Sequence, residues 1–213
     1  MKIGCVLVMY NPQRELLTAS LNALNEQVDE IFLGDNSVNM PDFITTLLNL
    51  YPNTYYHSFN KNLGIAEAQN RGIIYFQKKG FDFVLFMDQD SLAPNNLVSS
   101  LLADYNRLKE IGIPIGGIGP RPFNRGEGKP YIGAVKKGKL ILPKITEVGE
   151  IISSASLIPI PHFKQVGGME SSLFIDGVDH EWCWRAKKIG GWRFFISESV
   201  QLSHQVGEGD RPF

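Results

Sequence analysis

Only two cysteines occur in 213 residues, Cys5 and Cys183, near opposite ends of the chain. A disulfide scaffold and a cysteine-built metal cluster are thereby excluded, and any chemistry must come from other side chains. Charge of one sign is equally scarce: 21 Lys and Arg against 22 Asp and Glu leave a formal net charge of -1. Without a basic field, counterion release from a phosphate backbone is not available as the main binding force, so nucleic acid is not an expected partner. Long apolar runs are also missing. The longest, residues 3–10, follows the single charge of Lys2 and is closed by Asn11-Pro12, with no small-residue cleavage site behind it. It is too short to span a bilayer and reads as a buried strand. The cytoplasm is the expected compartment, with peripheral attachment at the inner face of the membrane left open. Finally, no glycine-rich phosphate loop of the Gly-x-Gly-x-x-Gly or Gly-x-x-x-x-Gly-Lys type lies at any strand-to-helix junction, which argues against a dinucleotide dehydrogenase or a P-loop enzyme.

What the chain does contain is 43% hydrophobic residues in a strongly periodic first half. Asn11-Pro12 reads as an N-cap and first-turn pair, and behind it Leu17, Leu21, Leu24 and Val28 recur at i, i+4, i+7 and i+11. Strands are expected at 30–35, 54–58 and 81–87, and helices at 41–50, 65–79 (with Gly80 as the stop) and 96–110. Strands separated by helices of this length predict βαβ units and an α/β fold with a mostly parallel, Rossmann-like central sheet flanked by helices. After about residue 115, Gly and Pro punctuation takes over, followed by an alternating stretch over 131–142 with Lys136-Lys137-Gly138 as a hairpin turn. The expectation is one domain over 1–213. Residues 1–114 would hold a nucleotide, and a smaller mixed region, 115–213, would hold what reacts with it.

The sharpest local feature is Asp88-Gln89-Asp90-Ser91 at the carboxyl end of an apolar strand. Ligands of open α/β sheets bind at such ends, and two carboxylates at i and i+2 of extended chain project to one side, where a divalent cation would offset their repulsion. A solvated turn capping the next helix accounts for the same residues. Two neighbours strengthen the ligand reading. Gly34-Asp35-Asn36-Ser37 ends the second strand, and Asn60-Lys61-Asn62-Leu63-Gly64 leads into a helix whose N-terminus offers backbone N–H groups to a phosphate. Turn chemistry and capping are the alternative for each segment alone.

Downstream, Val178, Trp182, Ala186 and Ile189 form an apolar stripe that puts Asp179 in the first turn of a helix, where the dipole favours its ionised form. That suits either a first-turn acid or a general base. Glu181 and Arg185 make an i, i+4 pair read as structural. Of the four histidines, His204 alone ends a strand-like segment in the polar half; it is a surface residue or, with the two carboxylates, a third metal ligand. Trp182, Trp184 and Trp192 are core or cleft walls.

Taken in order, these segments resemble the family 2 inverting glycosyltransferases with the GT-A fold, most closely the rhamnosyltransferase branch of cell-surface polysaccharide assembly. The resemblance runs over essentially the whole chain. It rests on Val8-Met9-Tyr10-Asn11, Asp35-Asn36-Ser37, Asn60 to Ala66 with Asn70-Arg71-Gly72, Asp88 to Ser91, Gly167-Gly168-Met169, Phe174 to Arg185, and Leu202-Ser203-His204. It implies that Tyr10, Asn11 and Asp35 border the nucleobase and ribose, with Asn36 beside them, and that Asn62, Leu63 and Gly64 lie along the nucleotide. Asp88 would approach the ribose and donor sugar next to Gln89. Asp90, with Asp88 and His204, would hold Mg²⁺ or Mn²⁺ on the diphosphate. Asp179 matches the second acid of the family's Glu-Asp pair and would be the catalytic base, with Val178 at the first position and Asp176 as its nearest competitor. The implied partners are a nucleotide-sugar donor, dTDP-L-rhamnose first and a UDP-sugar as the alternative, and a carbohydrate or lipid-linked saccharide acceptor. A non-catalytic nucleotide-sugar-binding module is the alternative of another class. Relatives usually continue beyond the point where this chain stops, at Phe213, so a shortened or compact member is expected.

Overall fold

The computed structural model describes residues 1–124, 129–130 and 137–204, the side chains of residues 124, 129, 130 and 204 excepted. Strand β1 (Ile3–Met9) lies between β2 (Glu30–Asp35) and β4 (Phe83–Asp88), and β3 (Thr54–Ser58) extends the sheet beyond β2, all four parallel. Helices α1 (Arg14–Leu24), α2 (Ile44–Leu50) and α3 (Gly64–Lys78) make the crossovers, and α4 (Leu97–Glu110) follows β4. β1 is buried on both faces, as a covered parallel strand must be. Cys5, Leu7 and Met9 join the cluster under α1, α2 and α4, while Val6 joins the cluster under α3 on the other face. Both cysteines are free and buried. Helix α3 sits close because two glycines make room. A Cβ on Gly72 would come within 2.4 Å of Val6 Cγ2, and one on Gly4 within 2.5 Å of the Phe76 ring.

Beyond β4 the same sheet continues with a different texture. Its further strands are β5 (Ile115–Asn124), β6 (Lys129–Pro130), β7 (Lys139–Leu142), β8 (Ile145–Val148), β9 (Leu157–Pro159) and β10 (Arg193–His204). The order is β3-β2-β1-β4-β9-β5-β10-β8-β7, with β6 on β5. β9 runs antiparallel to β4 and β5, β10 is parallel to β5, and β8 and β7 are antiparallel additions. Helices α5 (Ile160–Val166) and α6 (Val178–Gly190) cover this half on the α3 face. The parallel sheet expected for the first half is therefore present, and the second half is mixed.

Several local expectations are corrected. Asn11 is not a helix cap: α1 starts at Arg14 behind Gln13, and Asn11 takes a left-handed φ of 44° while its N–H donates to Ser37 Oγ at 2.8 Å. The chain is thus tied to the sheet rim before it turns into the helix. Helix α2 begins at Ile44 because a turn, closed by Ile44 N–H on Pro41 O, occupies the residues before it. The described hairpin turns at Pro143-Lys144, between β7 and β8, with Lys144 at φ 66°; of the expected turn, Lys136 and the stretch 131–136 lie outside the described residues. Ile189 leaves the stripe of α6 and is 51% exposed, since the last helical turn runs past the core and ends at Gly191, φ 64°.

Candidate functional site

In-register pairing brings the ends of the parallel strands to one rim: Met9 pairs with Asp35, Val8 with Asp88, and Asp35 with Ser58. The polar residues that follow each strand meet there. Asp35 lies under this rim with 0% exposure, and its carboxylate accepts from Ser37 N–H and Tyr56 O–H, each at 2.8 Å. Burial first, then the carboxylate it bonds, push the Tyr56 phenol up to about 12, so it stays a donor at physiological pH. Asp35 therefore braces the rim: it holds Ser37, which holds Asn11.

Asn36 is buried and spends both ends of its amide on the β3–α3 loop. Its Oδ1 accepts from Leu63 N–H at 3.0 Å and its Nδ2 donates to Gly64 O at 3.1 Å. Gly64 N–H donates to Asn62 Oδ1 at 2.9 Å, and the next two, Ile65 and Ala66, both point at Phe174 O. This corrects the expectation that the N-terminus of α3 offers free N–H groups to a phosphate. The carbonyl that takes them comes from Phe174, more than a hundred residues away and itself at φ 61°. Gly64 is required here, at φ 79°, because a Cβ would lie 2.5 Å from the Phe174 ring. A second clamp fastens the middle of α3 to the same region: Asn70 accepts from Met169 N–H at 2.7 Å and donates to Met169 O at 2.9 Å. That pairing joins the Asn70-Arg71-Gly72 segment to the Gly167-Gly168-Met169 segment.

Asp88 ends β4, and the chain turns at once, with Ser91 N–H donating to Asp88 O at 3.2 Å. Asp90 therefore lies in a tight turn and not at the i+2 position of extended chain, so the same-side argument for the two carboxylates does not apply as expected. The turn itself brings both to one cavity. Gln89 is a brace: its amide accepts from Tyr10 N–H at 2.9 Å and donates to Tyr10 O at 3.2 Å, fixing the end of β1 against the end of β4. Leu92 pairs with Ser203, which carries the backbone of the His204 segment to the Asp88–Ser91 turn; the His204 side chain lies outside the described residues. Among the described residues, no three His, Cys, Asp or Glu side chains converge as a metal site. Two carboxylates beside an open cavity nevertheless suit a hard divalent cation, which takes oxygen ligands from a bound molecule and water as readily as from protein.

Two cavities open at this rim and share Asp88. The first, of about 250 Å³, is walled by Met9, Tyr10, Asn36, Asn62, Gly64, Gln89 and Asp90. Asn11, Asp35 and Leu63 are not on its wall; they act through the residues they hold. The second, of about 180 Å³, is walled by Ile152, Ser153, Ser154, Val178 and Asp179. Ile65 and Ile175 also belong to both. Asp179 stands in the first turn of α6 as expected, and Ser153 N–H donates to its Oδ2 at 2.9 Å while His180 N–H donates to its Oδ1 at 2.9 Å. Both bonds fix the orientation of the carboxylate. Asp176 is exposed and lines neither cavity, which separates it from Asp179. Glu181 and Arg185 form the expected pair at 2.7 Å, and Arg185 goes on to Val166 O and Gly168 O, a structural use. Trp182 is core, Trp192 packs against the core, and Trp184 is 61% exposed.

Ser153 and Ser154 had no sequence signal. They reach the site because Ala155 N–H bonds Phe86 O and Phe86 N–H bonds Ser156 O, laying the 153–156 segment along the end of β4, and because Ser91 and Ser154 share a hydroxyl bond at 2.9 Å.

Comparison with known proteins gives a consistent result. The profile of Glycosyl transferase family 2 matches residues 5–154. The dTDP-rhamnosyl transferase RfbF of Shigella flexneri is 31% identical over 216 residues, covering 97% of this chain and 70% of that protein. Among solved structures, GalNAc-T7 with UDP, GalNAc and Mn²⁺ superposes with a TM-score of 0.74 at 14% identity, over 96% of this chain and 44% of that one. S. aureus TarS 1-349 with UDP gives 0.68 at 17%, over 97% of this chain and 61% of that one. At these identities the structural likeness is one of fold.

Proposed function

The chain belongs to glycosyl transferase family 2 and has the GT-A fold, and on that premise we propose that it moves a sugar, L-rhamnose from dTDP-L-rhamnose, to a hydroxyl of a cell-surface polysaccharide or lipid-linked acceptor with inversion. The observation that carries this reading is the pair of cavities joined at Asp88, one lined by the strand-end residues and the other by Asp179. The donor's nucleotide would lie in the first, against Tyr10, Asn36 and the Asn62–Gly64 loop. Its anomeric carbon would lie near Asp88, facing the second cavity. An acceptor hydroxyl there, with a pKa far above neutrality, must lose its proton as it attacks, and the Asp179 carboxylate, oriented by Ser153 N–H, would accept it. One base and one displacement give inversion.

Asp90 and Asp88 would hold Mg²⁺ or Mn²⁺, with His204 as the third candidate. When bound, the cation supplies positive charge to the leaving diphosphate. Support for the donor comes from RfbF, a dTDP-rhamnosyl transferase. The UDP in the TarS and GalNAc-T7 structures favours the second reading, a UDP-sugar donor on the same machinery. We place the reaction in the cytoplasm, with peripheral contact at the inner membrane face; no helix among the described residues is long and apolar enough to cross a membrane. We treat residues 1–213 as one domain, the donor half ahead of residue 115.

The test is incubation with a panel of sugar nucleotides and Mg²⁺ or Mn²⁺, reading nucleoside diphosphate release. Release from dTDP-L-rhamnose above all others is expected. Preferential release from a UDP-sugar replaces the donor assignment, and donor binding with neither transfer nor slow hydrolysis makes the protein a binding module.

A further inference from the structure

Of the three tryptophans, Trp184 is the exposed one, and nothing in the reaction as described uses it. An exposed side chain is ordinarily free to change rotamer, but this one is fixed: its Nε1–H donates to Glu150 Oε2 at 2.7 Å, which ties one edge of the indole down while the residue stays 61% exposed. With Glu150, Leu173, Gly177, His180 and Glu181 it walls a broad groove of about 530 Å³. The groove continues the base cavity. That cavity is walled by Ile152 to Ser154 and by Val178-Asp179, and the groove is walled by flanking residues of the same two segments, Glu150 on one side and Gly177 and His180 on the other. Leu173 on the groove and Ile175 on the base cavity are both exposed and only two residues apart, so apolar surface runs from one to the other. Along α6, Trp184 stands five residues past Asp179, about 7.5 Å further down the helix axis.

We propose that this groove is a second acceptor subsite, in which the Trp184 ring stacks on the sugar next to the one being glycosylated, so that the enzyme selects acceptors of at least two sugar units; the proposal rests on the reading of the Asp179 cavity as the place of the acceptor hydroxyl. The chemistry of the walls selects the occupant. A pyranose presents a face of C–H bonds and a rim of hydroxyls. The electron-rich face of an indole attracts polarised C–H bonds, and a carboxylate accepts from hydroxyls. Among the described residues, the groove walls carry two carboxylates, Glu150 and Glu181, and no lysine or arginine. That set suits a neutral, hydroxyl-rich ligand and offers little to a phosphate headgroup: Arg185, beside Glu181, is already bound to it and to Val166 O and Gly168 O. Because the indole is held before a ligand arrives, stacking on it costs little rotamer freedom. A saccharide with its reacting unit at Asp179 would carry its next unit over the following turn of α6, where Trp184 stands.

The test measures transfer, from the sugar nucleotide that the protein cleaves, to methyl glycosides of rhamnose, galactose and N-acetylglucosamine and to disaccharides ending in each. Wild type should use a disaccharide at lower KM than the matching monosaccharide. Trp184→Ala should raise the disaccharide KM about tenfold, with the monosaccharide KM and the donor KM within about twofold of wild type. Trp184→Phe, which keeps a ring face, should recover most of the loss, and Trp184→Leu, apolar without a ring, should not. In wild-type protein the disaccharide should also shield tryptophan fluorescence from acrylamide, an experiment that needs no variant to fold. Disaccharides used no better than monosaccharides, an equal loss for both in Trp184→Ala, or full activity in Trp184→Leu overturns the proposal alone. So does shielding by phosphatidylglycerol vesicles and by no disaccharide, or shielding that grows with protein concentration without saccharide, which assigns the groove to a lipid surface or to a second copy of the chain. Wild-type protein that cleaves no sugar nucleotide removes the transferase reading and the proposal together.

Discussion

The two halves of the sheet build their shares of the site in different ways. From β3 to β4, four parallel strands end in register, and polar residues that follow those ends wall one cavity, to which the second half adds Ile175 and, through Phe174 O, a hold on the start of α3. From β9 to β7 the strands are mixed, and the contribution to the site comes from a segment before β9, a loop before α6 and the first turn of that helix. Regular pairing makes a cradle out of sequence-local motifs. Mixed pairing makes a second wall out of residues that meet only in the folded chain. The difference predicts a division of labour, with donor binding in the first half and proton chemistry in the second.

Substitutions on either side of Asp88 break or sharpen that division. Asp179→Asn should reduce transfer by roughly 10²- to 10⁴-fold while donor affinity measured by calorimetry stays within about twofold of wild type. Asp90→Ala should instead lose the cation-dependent part of donor binding, on the order of tenfold or more in Kd, and transfer with it, leaving Asp179 in place. Asn36→Ala leaves Leu63 N–H and Gly64 O without their partner and should cost about 1–3 kcal/mol of stability in denaturant unfolding, with donor affinity weakened and the base cavity unaffected. The smallest effect is expected from Tyr56→Phe, about 1 kcal/mol in the same unfolding experiment, because Asp35 keeps Ser37 N–H as a partner. Loss of transfer without loss of donor binding in Asn36→Ala would blur the division.

The same contrast explains what could be read from the chain alone. Strands β2 and β3 fall at the expected residues, and α3 within one residue, because period and punctuation agree there. Asp88, Asp90, Asn36 and Asp179 were legible because each sits in a short motif at an element's end. The capping of α3 by Phe174 O, the bond from Ser153 to Asp179 and the brace of Gln89 on Tyr10 were not. Each joins residues separated by 26 to more than a hundred positions, and no local spacing encodes such a partner. Asp35 shows the limit from the other side: its motif marks the site, but its carboxylate is buried in holding the rim.

The most direct test of this division is calorimetric binding of thymidine diphosphate with Mn²⁺ to wild type, Asp179→Asn and Asp90→Ala. Equal affinity for wild type and Asp179→Asn, with loss in Asp90→Ala, is the predicted result. Loss of nucleotide binding in Asp179→Asn, or full binding retained in Asp90→Ala, would contradict it.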